Sequence, residues 1–171
     1  MEINIEKYTE LWKVAFENEY RVLIKSIKEP TLKIEHIGST SVEGLNAKPI
    51  IDIMIGLQDF DTASNHIISL ENLGYEYISE YEDKMSDRKF FIKDSNGVRT
   101  HHIHMISFET EFWNRHLKFR DHLQTNQADR EDYLKLKIRL AKRKWKNGSE
   151  YANAKAKFIQ KIEDKIMDKS Y

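Results

Sequence analysis

The chain has 171 residues, 40% of them hydrophobic, and this length and composition predict one folded domain with its own core. Its 28 basic and 28 acidic side chains balance, which excludes a global electrostatic attraction to nucleic acid and makes a nucleic-acid partner unexpected. Cysteine is absent, so disulfide bonds and thiolate metal sites are excluded.

The N-terminal part of the chain predicts a helix. The first residues, MEINIEKYTE, lack the basic and apolar regions of a secretory signal. No apolar run approaches the ~20 residues that span a bilayer. These two features predict a cytoplasmic protein without a membrane partner. Between Ile5 and Ile27 the apolar residues repeat at helical spacing, and Pro30 prevents a simple continuation of that helix.

Two strands joined by a loop are predicted next. Residues 32–37 are typical of a short strand, and residues 38–48 predict a loop with room for one helical turn. The second strand, residues 50–57 (IIDIMIGL), is apolar on both faces apart from Asp52. An uninterrupted apolar strand of this kind is typical of a central position in a sheet.

A helix and a third strand follow. Asp59 is a residue type that caps helices, and the segment from there to Leu73 predicts a helix that Gly74 closes. Residues 75–79 predict a short strand. Beyond them, residues 87–93 and 98–108 predict a hairpin.

The strongest sign of that hairpin is its turn, Asn96-Gly97. Both residues tolerate the positive φ that a tight two-residue turn requires. From Glu109 onward the apolar spacing is helical and predicts three segments, the last two separated by Gly148. The predicted class is α+β: a mixed sheet with an N-terminal helix and a helical C-terminal region. We expect a single domain over residues 1–171, with the sheet core in about 1–108 and the helical part in 109–171.

The loop after the first strand contains a candidate anion-binding turn. Gly38 permits a sharp turn and a close approach to a ligand, and Ser39, Thr40 and Ser41 supply hydroxyl and N–H groups. Such a turn at the start of a helical stretch is a natural phosphate cradle. The alternative is a plain strand-to-helix turn in which Ser39 or Ser41 serves as the helix cap.

Asp52 is the second candidate site residue. An ionised carboxylate in an apolar strand is costly unless a cation or a metal ion pairs with it. Lys48, four residues earlier, is the nearest basic side chain. A purely structural pair between Asp52 and Lys48 or an arginine is the alternative.

The strand Arg99–Ile106, RTHHIHMI, carries the third group of candidates. Its alternation places His102 and His104 on one face and His101 on the other. Two imidazoles at this spacing can bind a transition metal, or one can act as a general base. Hydrogen-bonded histidines on a polar strand are the alternative.

Two arginines flank the predicted hairpin. Arg88 and Arg99 have the forked guanidinium group that suits phosphate or carboxylate recognition. The alternative is a set of weak surface ion pairs, for which the neighbouring acids are Glu80, Glu82 and Asp87.

Several of these motifs together resemble a known family. The stretch IGSTSVEGLNAKPIIDIMI is similar to the nucleotidyltransferase superfamily signature, in which a Gly-Ser turn precedes an Asp-apolar-acid-apolar strand. The fuller set HIGSTSVEGLNAKPIIDI, DRKFF, RTHHIHMI, LKFRDHL and YLKLKIRLA resembles the GrpB family (UPF0157) over nearly the whole chain. The resemblance implies a nucleotidyltransferase fold, in which the Gly-Ser turn holds nucleotide phosphates and the acids hold divalent cations, usually Mg²⁺.

The chain departs from that pattern at Met54, where the second acid is expected. A thioether does not replace an oxygen ligand for a hard cation, so weak or absent Mg²⁺-dependent nucleotidyl transfer is expected. Asp52, His102 and His104 then form the predicted catalytic and metal site, for Mg²⁺, Mn²⁺, Fe²⁺ or Zn²⁺, with His36 as an optional fourth group.

The predicted function is a metal-assisted cleft that binds a nucleotide or another phosphorylated small molecule. The phosphate-binding residues in this hypothesis are Gly38, Ser39, Thr40, Ser41, Lys48, Arg88 and Arg99. The alternatives are a phosphate-binding module without catalysis and a single-metal hydrolase on the same fold.

Overall fold

The computed structural model of the chain describes residues 1–81 and 85–168. Its five strands form one sheet: β1 (Lys33–Ile37), β2 (Ile51–Leu57), β3 (Tyr75–Tyr77), β4 (Arg88–Ser95) and β5 (Val98–Ser107). Its α-helices are α1 (Leu11–Ser26), α2 (Ile67–Glu71), α3 (Glu111–Thr125), α4 (Gln127–Ala141), α5 (Gly148–Asn153) and α6 (Ala156–Asp168). Short 3₁₀ helices lie at Ser39–Ser41, Phe60–His66 and Ser79–Tyr81.

The sheet is mixed, as the sequence predicts. The strand order is β1-β2-β5-β4-β3, and β2 and β5 run parallel while the other neighbouring pairs are antiparallel. β2 therefore lies inside the sheet, between β1 and β5. The register places Asp52 opposite His102 and Met54 opposite His104 across the parallel pair.

Helices cover both faces of the sheet, which explains why β2 is apolar on both sides. On the first face, Ile53 and Ile55 pack in a core with Leu23 of α1 and Leu70 of α2. On the second face, Met54 packs with Trp113 of α3. We call these the α1 face and the α3 face.

α3 approaches the sheet closely at Gly56. A Cβ atom at this position would lie 2.7 Å from Cζ3 of Trp113, so a larger residue would push the helix away. The lack of a side chain at Gly56 thus allows α3 to pack closely against the middle of the α3 face.

The N-terminal helix is shorter than the apolar pattern predicts. It begins at Leu11, because Glu6 and Ala47 exchange two backbone hydrogen bonds of 2.8 and 3.0 Å and hold the preceding residues extended. Ile3 is buried beside Leu140 and Tyr151. The apolar side chains before Leu11 are satisfied by this packing, so their spacing does not require a helix.

The predicted hairpin turn is confirmed. Asn96 and Gly97 both have positive φ, 51° and 75°, as a tight turn between two strands requires. The predicted capping by Asp59 is also confirmed, since its carboxylate accepts a 2.9 Å hydrogen bond from Asp61 N. What it caps is the 3₁₀ helix Phe60–His66, which leads into the short α2.

The described part of the C-terminal region, residues 109–168, has four helices where three segments were predicted. Gly148 begins α5, and the chain turns at residues 154 and 155 before α6 starts. This break places Lys155 at the junction of two helices rather than on one continuous helix. No helix in the described ranges is long and apolar enough to cross a membrane.

Candidate functional site

The turn after β1 lies directly against Asp52. Gly38 has φ 73°, and a Cβ atom there would lie 2.4 Å from Asp52 Oδ2. A side chain at this position would therefore be strained by the backbone and would also collide with the carboxylate. Glycine is required here for a close approach of the turn to the acid.

The three hydroxyl groups of the turn have different roles. Ser41 Oγ donates to the Gly38 carbonyl at 2.5 Å, and Thr40 Oγ1 donates to the Ile50 carbonyl at 3.0 Å. Thr40 Oγ1 also lies 3.1 Å from Nε2 of His36, which must donate because the threonine proton is already used. Thr40 and Ser41 thus hold the shape of the turn, while the half-buried Ser39 side chain makes a hydrogen bond with Tyr133.

Asp52 is paired with His102 rather than with Lys48. Its Oδ1 lies 2.9 Å from Nδ1 of His102, and Nε2 of the same ring lies 3.4 Å from Nη1 of Arg99. A guanidinium only donates, so Nε2 accepts and Nδ1 carries the proton given to Asp52. Burial raises the pKa of Asp52, but the His102 hydrogen bond and nearby positive charge outweigh it, and the pKa falls below its ordinary value.

His104 lies deeper than His102. Its ring is near Phe90 and Phe112, with centroids 4.9 and 6.0 Å away, and it neighbours the fully buried Met54 in the sheet register. Burial lowers the pKa of His104 to about 3, so the ring is neutral. Its Nδ1 is buried and has no hydrogen-bond partner within the described part of the chain.

The donor atoms do not fit a metal centre of the superfamily type. Both ring nitrogens of His102 are engaged, and Met54 supplies no oxygen where a second acid is expected. In residues 1–81 and 85–168, no group of three or more His, Asp or Glu side chains is arranged to hold a metal ion. The site built from Asp52, His102 and His104 stays a prediction that this arrangement does not support.

Two other histidines lie away from Asp52. His36 and His101 point to the α1 face. There the His36 ring stacks on Phe16 with 4.7 Å between ring centroids, and the His101 ring lies edge-on to Tyr75 with 6.4 Å between centroids. Burial lowers the pKa of His36 to about 4. His36 therefore serves the turn through Thr40 and does not join Asp52 as a fourth group.

A cavity of about 710 Å³ opens beside Asp52. It lies between the Gly38 turn, the first residues of β2 and β5, and helices α4 and α5. We call it the basic cavity. The side chains that define it are Ser39, Thr40, Lys48, Asp52, Arg99, His102, Lys137, Tyr151 and Lys155.

Two lysines of the basic cavity have no acidic partner. Lys48 Nζ and Lys155 Nζ lie 5.9 and 4.5 Å from the ring centroid of Tyr151. Among the residues that the structure describes, no carboxylate lies within ion-pair distance of either one. Burial lowers the pKa of both lysines, the charge of Lys155 lowers that of Lys48 further, and Asp52 partly opposes the effect on each.

Lys137 is a third lysine in this cavity and is only 2% exposed. Its Nζ donates to the Asn46 carbonyl. Burial and the charge of Lys155 lower its pKa to about 7. Arg99, by contrast, forms an ion pair with Asp94 at the mouth of the cavity.

A smaller cavity of about 190 Å³ lies on the other side of Lys155 and shares Ser39 and Asp52 with the basic cavity. Its arginines are already paired. Arg120 donates to Glu35 at 2.7 Å, and Arg115 forms a 2.9 Å ion pair with Glu163. Among the described residues, the ammonium group that the smaller cavity leaves unpaired is that of Lys155, which it shares with the basic cavity.

The structure brings most of the predicted residues together, but not all. Ser39, Thr40, Lys48, Asp52, Arg99 and His102 line the basic cavity, and Gly38 lines the smaller one. Ser41, His104 and Arg88 line neither, and the Arg88 guanidinium lies 4.8 Å from the Phe112 ring centroid instead. Glu82 lies outside the described residues.

Sequence reasoning missed Lys137, Tyr151 and Lys155. A signal for them exists: both lysines occupy positions in otherwise apolar helical patterns, Lys137 beside Tyr133 and Leu140, and Lys155 beside Phe158. A lysine on the apolar stripe of a helix is a candidate for a buried cation.

Comparison with known proteins places this arrangement in a family. A family model described as GrpB protein matches residues 2–165. The chain is 34% identical over 160 residues to a UPF0157 protein of Halalkalibacterium halodurans, covering 94% of this chain and 80% of that protein. It is 32% identical over 167 residues to the glutamate-rich protein GrpB of Alkalihalophilus pseudofirmus, covering 94% of each.

Solved structures agree with these relatives. The crystal structure of GrpB from Enterococcus faecalis has a TM-score of 0.85 and 36% identity, covering 98% of this chain and 99% of that one. A structure of the Cid1 poly(U) polymerase has a TM-score of 0.54 and 11% identity, covering 80% of this chain and 42% of that one. This second likeness shows a shared nucleotidyltransferase-like fold.

Proposed function

The chain belongs to the GrpB family and has a nucleotidyltransferase-like fold, and from this premise we propose that its basic cavity binds the phosphate groups of a nucleotide or another phosphorylated small molecule. One observation carries the proposal: Lys48 and Lys155 face the same cavity, and no carboxylate among the described residues pairs with them. Two ammonium groups held in this way are matched by a ligand that brings negative charge.

Charge favours an anionic ligand over a neutral one. Four basic side chains, Lys48, Arg99, Lys137 and Lys155, line the basic cavity, against a single acid, Asp52, among the described residues. A unit charge about 4 Å from another gains on the order of 4 kcal/mol at the effective dielectric near a protein surface. A phosphate group would gain this attraction from more than one lysine.

Shape supports the same class of ligand. The volume of about 710 Å³ falls within the roughly 300–1,000 Å³ typical of small-molecule sites. The Gly38 turn presents Ser39 to this space, as a turn that holds a phosphate would. Neighbours with the same fold, structures of Cid1, have Mg 3′-dATP and MgGTP bound, and this favours a nucleotide.

Phosphate binding is better supported than two-metal nucleotidyl transfer. Transfer of that kind needs acids that share the cations between them. Met54 stands where the second acid is expected, and it is fully buried under α3. We therefore propose a nucleotide-binding function and derive no step through a metal pair.

Isothermal titration calorimetry tests this proposal. ATP, GTP, CTP and UTP are titrated into the protein, with adenosine as the uncharged comparison. At least one triphosphate is expected to bind with a dissociation constant in the micromolar range, about −8 kcal/mol, and adenosine at least tenfold more weakly. Absence of binding by all four triphosphates would contradict the proposal.

Matched variants locate the site. Lys155→Met and Lys48→Met are each expected to weaken triphosphate binding by about tenfold. Lys157→Met, two residues from Lys155 and exposed on α6, is the control and is expected to leave binding unchanged. Equal losses in Lys155→Met and Lys157→Met would place the ligand elsewhere.

A further inference from the structure

Resting on the proposed function, we propose that the basic cavity binds polyphosphate without a divalent cation, because Lys48 and Lys155 supply the positive charge that a metal ion would bring. The ligand class is a nucleoside triphosphate or a similar polyphosphate in its metal-free form.

Both oxygens of the Asp52 carboxylate lie against other groups of the chain. One oxygen, Oδ1, accepts the hydrogen bond from His102 at 2.9 Å. The other, Oδ2, lies so close to Gly38 that a Cβ atom there would come within 2.4 Å of it. A cation at Oδ1 would therefore compete with the proton that His102 donates to the same oxygen.

The neighbouring positions do not complete a coordination shell. His102 already uses both ring nitrogens, one toward Asp52 and one toward Arg99. Met54, on the same face two residues after Asp52, is sealed beneath Trp113. Glu35, opposite Met54 on the same face, is already paired with Arg120 at 2.7 Å. Mg²⁺ binds through carboxylate and phosphate oxygens and waters, and both acids named here are engaged within the chain.

Lysine ammonium groups supply positive charge at this position instead. Lys155 lies where the two cavities meet, lining both together with Asp52 and Ser39. The break between α5 and α6 positions it there, and the Tyr151 ring lies 4.5 Å from its Nζ. Lys48 reaches the same aromatic ring from the loop before β2, so two ammonium groups lie near one aromatic surface.

The test measures binding with and without metal. ATP and inorganic tripolyphosphate are titrated into the wild-type protein in EDTA and again in excess Mg²⁺. We expect the affinity in EDTA to equal or exceed that in Mg²⁺, because the metal-free ligand carries more negative charge. A requirement for Mg²⁺ would overturn this inference while leaving the proposed function intact.

Variants separate a charge effect from a loss of structure. In EDTA, Lys155→Met is expected to weaken tripolyphosphate binding by about tenfold, or about 1.4 kcal/mol, whereas Lys155→Arg keeps the charge and retains most of the affinity. An unchanged affinity in Lys155→Met would overturn the inference. Absence of ATP and tripolyphosphate binding in both buffers would overturn the proposed function as well.

Discussion

Lysines on two sides of this molecule have opposite surroundings. On the α1 face, Lys93 Nζ lies 2.9 Å from Glu19 Oε1, which also accepts a 2.9 Å hydrogen bond from the Tyr75 hydroxyl. In the basic cavity, Lys48 and Lys155 are shielded from solvent to a similar degree, yet no described carboxylate pairs with them.

The difference separates a cation that serves the fold from a cation that serves a ligand. A buried charge that is paired and hydrogen-bonded within the chain is fully satisfied when the protein folds. Unpaired ammonium groups in a cavity lower one another's pKa, as Lys155 does for Lys48 and Lys137. Such groups lower the free energy of unfolding of the ligand-free protein, and an anion that binds beside them restores it.

The largest expected effect comes from Gly38→Ala, which disrupts the turn beside the basic cavity. The new Cβ atom meets Asp52 Oδ2, and the residue keeps an unfavourable positive φ. Strain and overpacking together are expected to cost about 3 kcal/mol in the free energy of unfolding. Urea denaturation measures the loss, and Gly97→Ala, at a turn with open space, is the comparison. A smaller loss in Gly38→Ala than in Gly97→Ala would contradict the close approach.

Glu19→Gln removes the acidic partner of the lysine on the α1 face. It leaves Lys93 without its acidic partner in a largely buried site, and about 2 kcal/mol of stability is expected to be lost. Nucleotide affinity is expected to stay unchanged, because this ion pair lies on the α1 face. Denaturation and calorimetry on the same variant measure both quantities. A large loss of affinity with little loss of stability would reverse the roles of the two regions.

Lys137 sharpens the comparison through pH. Burial lowers its pKa to about 7, well below the ordinary value of about 10.4. Between these two values the unfolded chain holds a proton that the folded chain has released, so stability rises with pH by up to about 1.4 kcal/mol per unit. Below about pH 7 both states are protonated, and this contribution no longer changes.

The measurement is the free energy of unfolding from pH 7 to pH 9 in the wild type and in Lys137→Met. In Lys137→Met the free energy of unfolding is expected to lose its increase between pH 7 and pH 9. Lys142→Met changes an exposed lysine just after α4 and is expected to keep this increase. The same slope in wild type and Lys137→Met would show that the Lys137 amine is not the group that titrates.

Much of the site follows from local rules that a sequence contains. The positive φ of Gly38 and the alternation along β2 and β5 bring the turn, Asp52 and His102 together. The Asn96-Gly97 turn follows from residue chemistry in the same way. These features depend on near neighbours in the chain or on the pairing of two recognisable strands.

Features that depend on the placement of distant helices were not predictable in this way. His104 shares a face with His102, yet α3 buries it beside Phe112, and strand alternation does not contain that information. Lys137 and Lys155 lie in apolar helical patterns, but only the packing of α4 and α6 shows that these stripes face a cavity. The residues before Leu11 have helical spacing, but the pairing of Glu6 with Ala47 holds them extended.

The most direct test of the central claim compares the melting temperature of wild type and Lys155→Met, each with and without ATP in EDTA. If Lys155 is held for an anionic ligand, its removal leaves the free protein at least as stable, while the rise in melting temperature with ATP falls to a small fraction of the wild-type rise. A free Lys155→Met protein that melts several degrees lower and keeps the full rise with ATP would contradict the account, because Lys155 would then serve the fold and not the ligand.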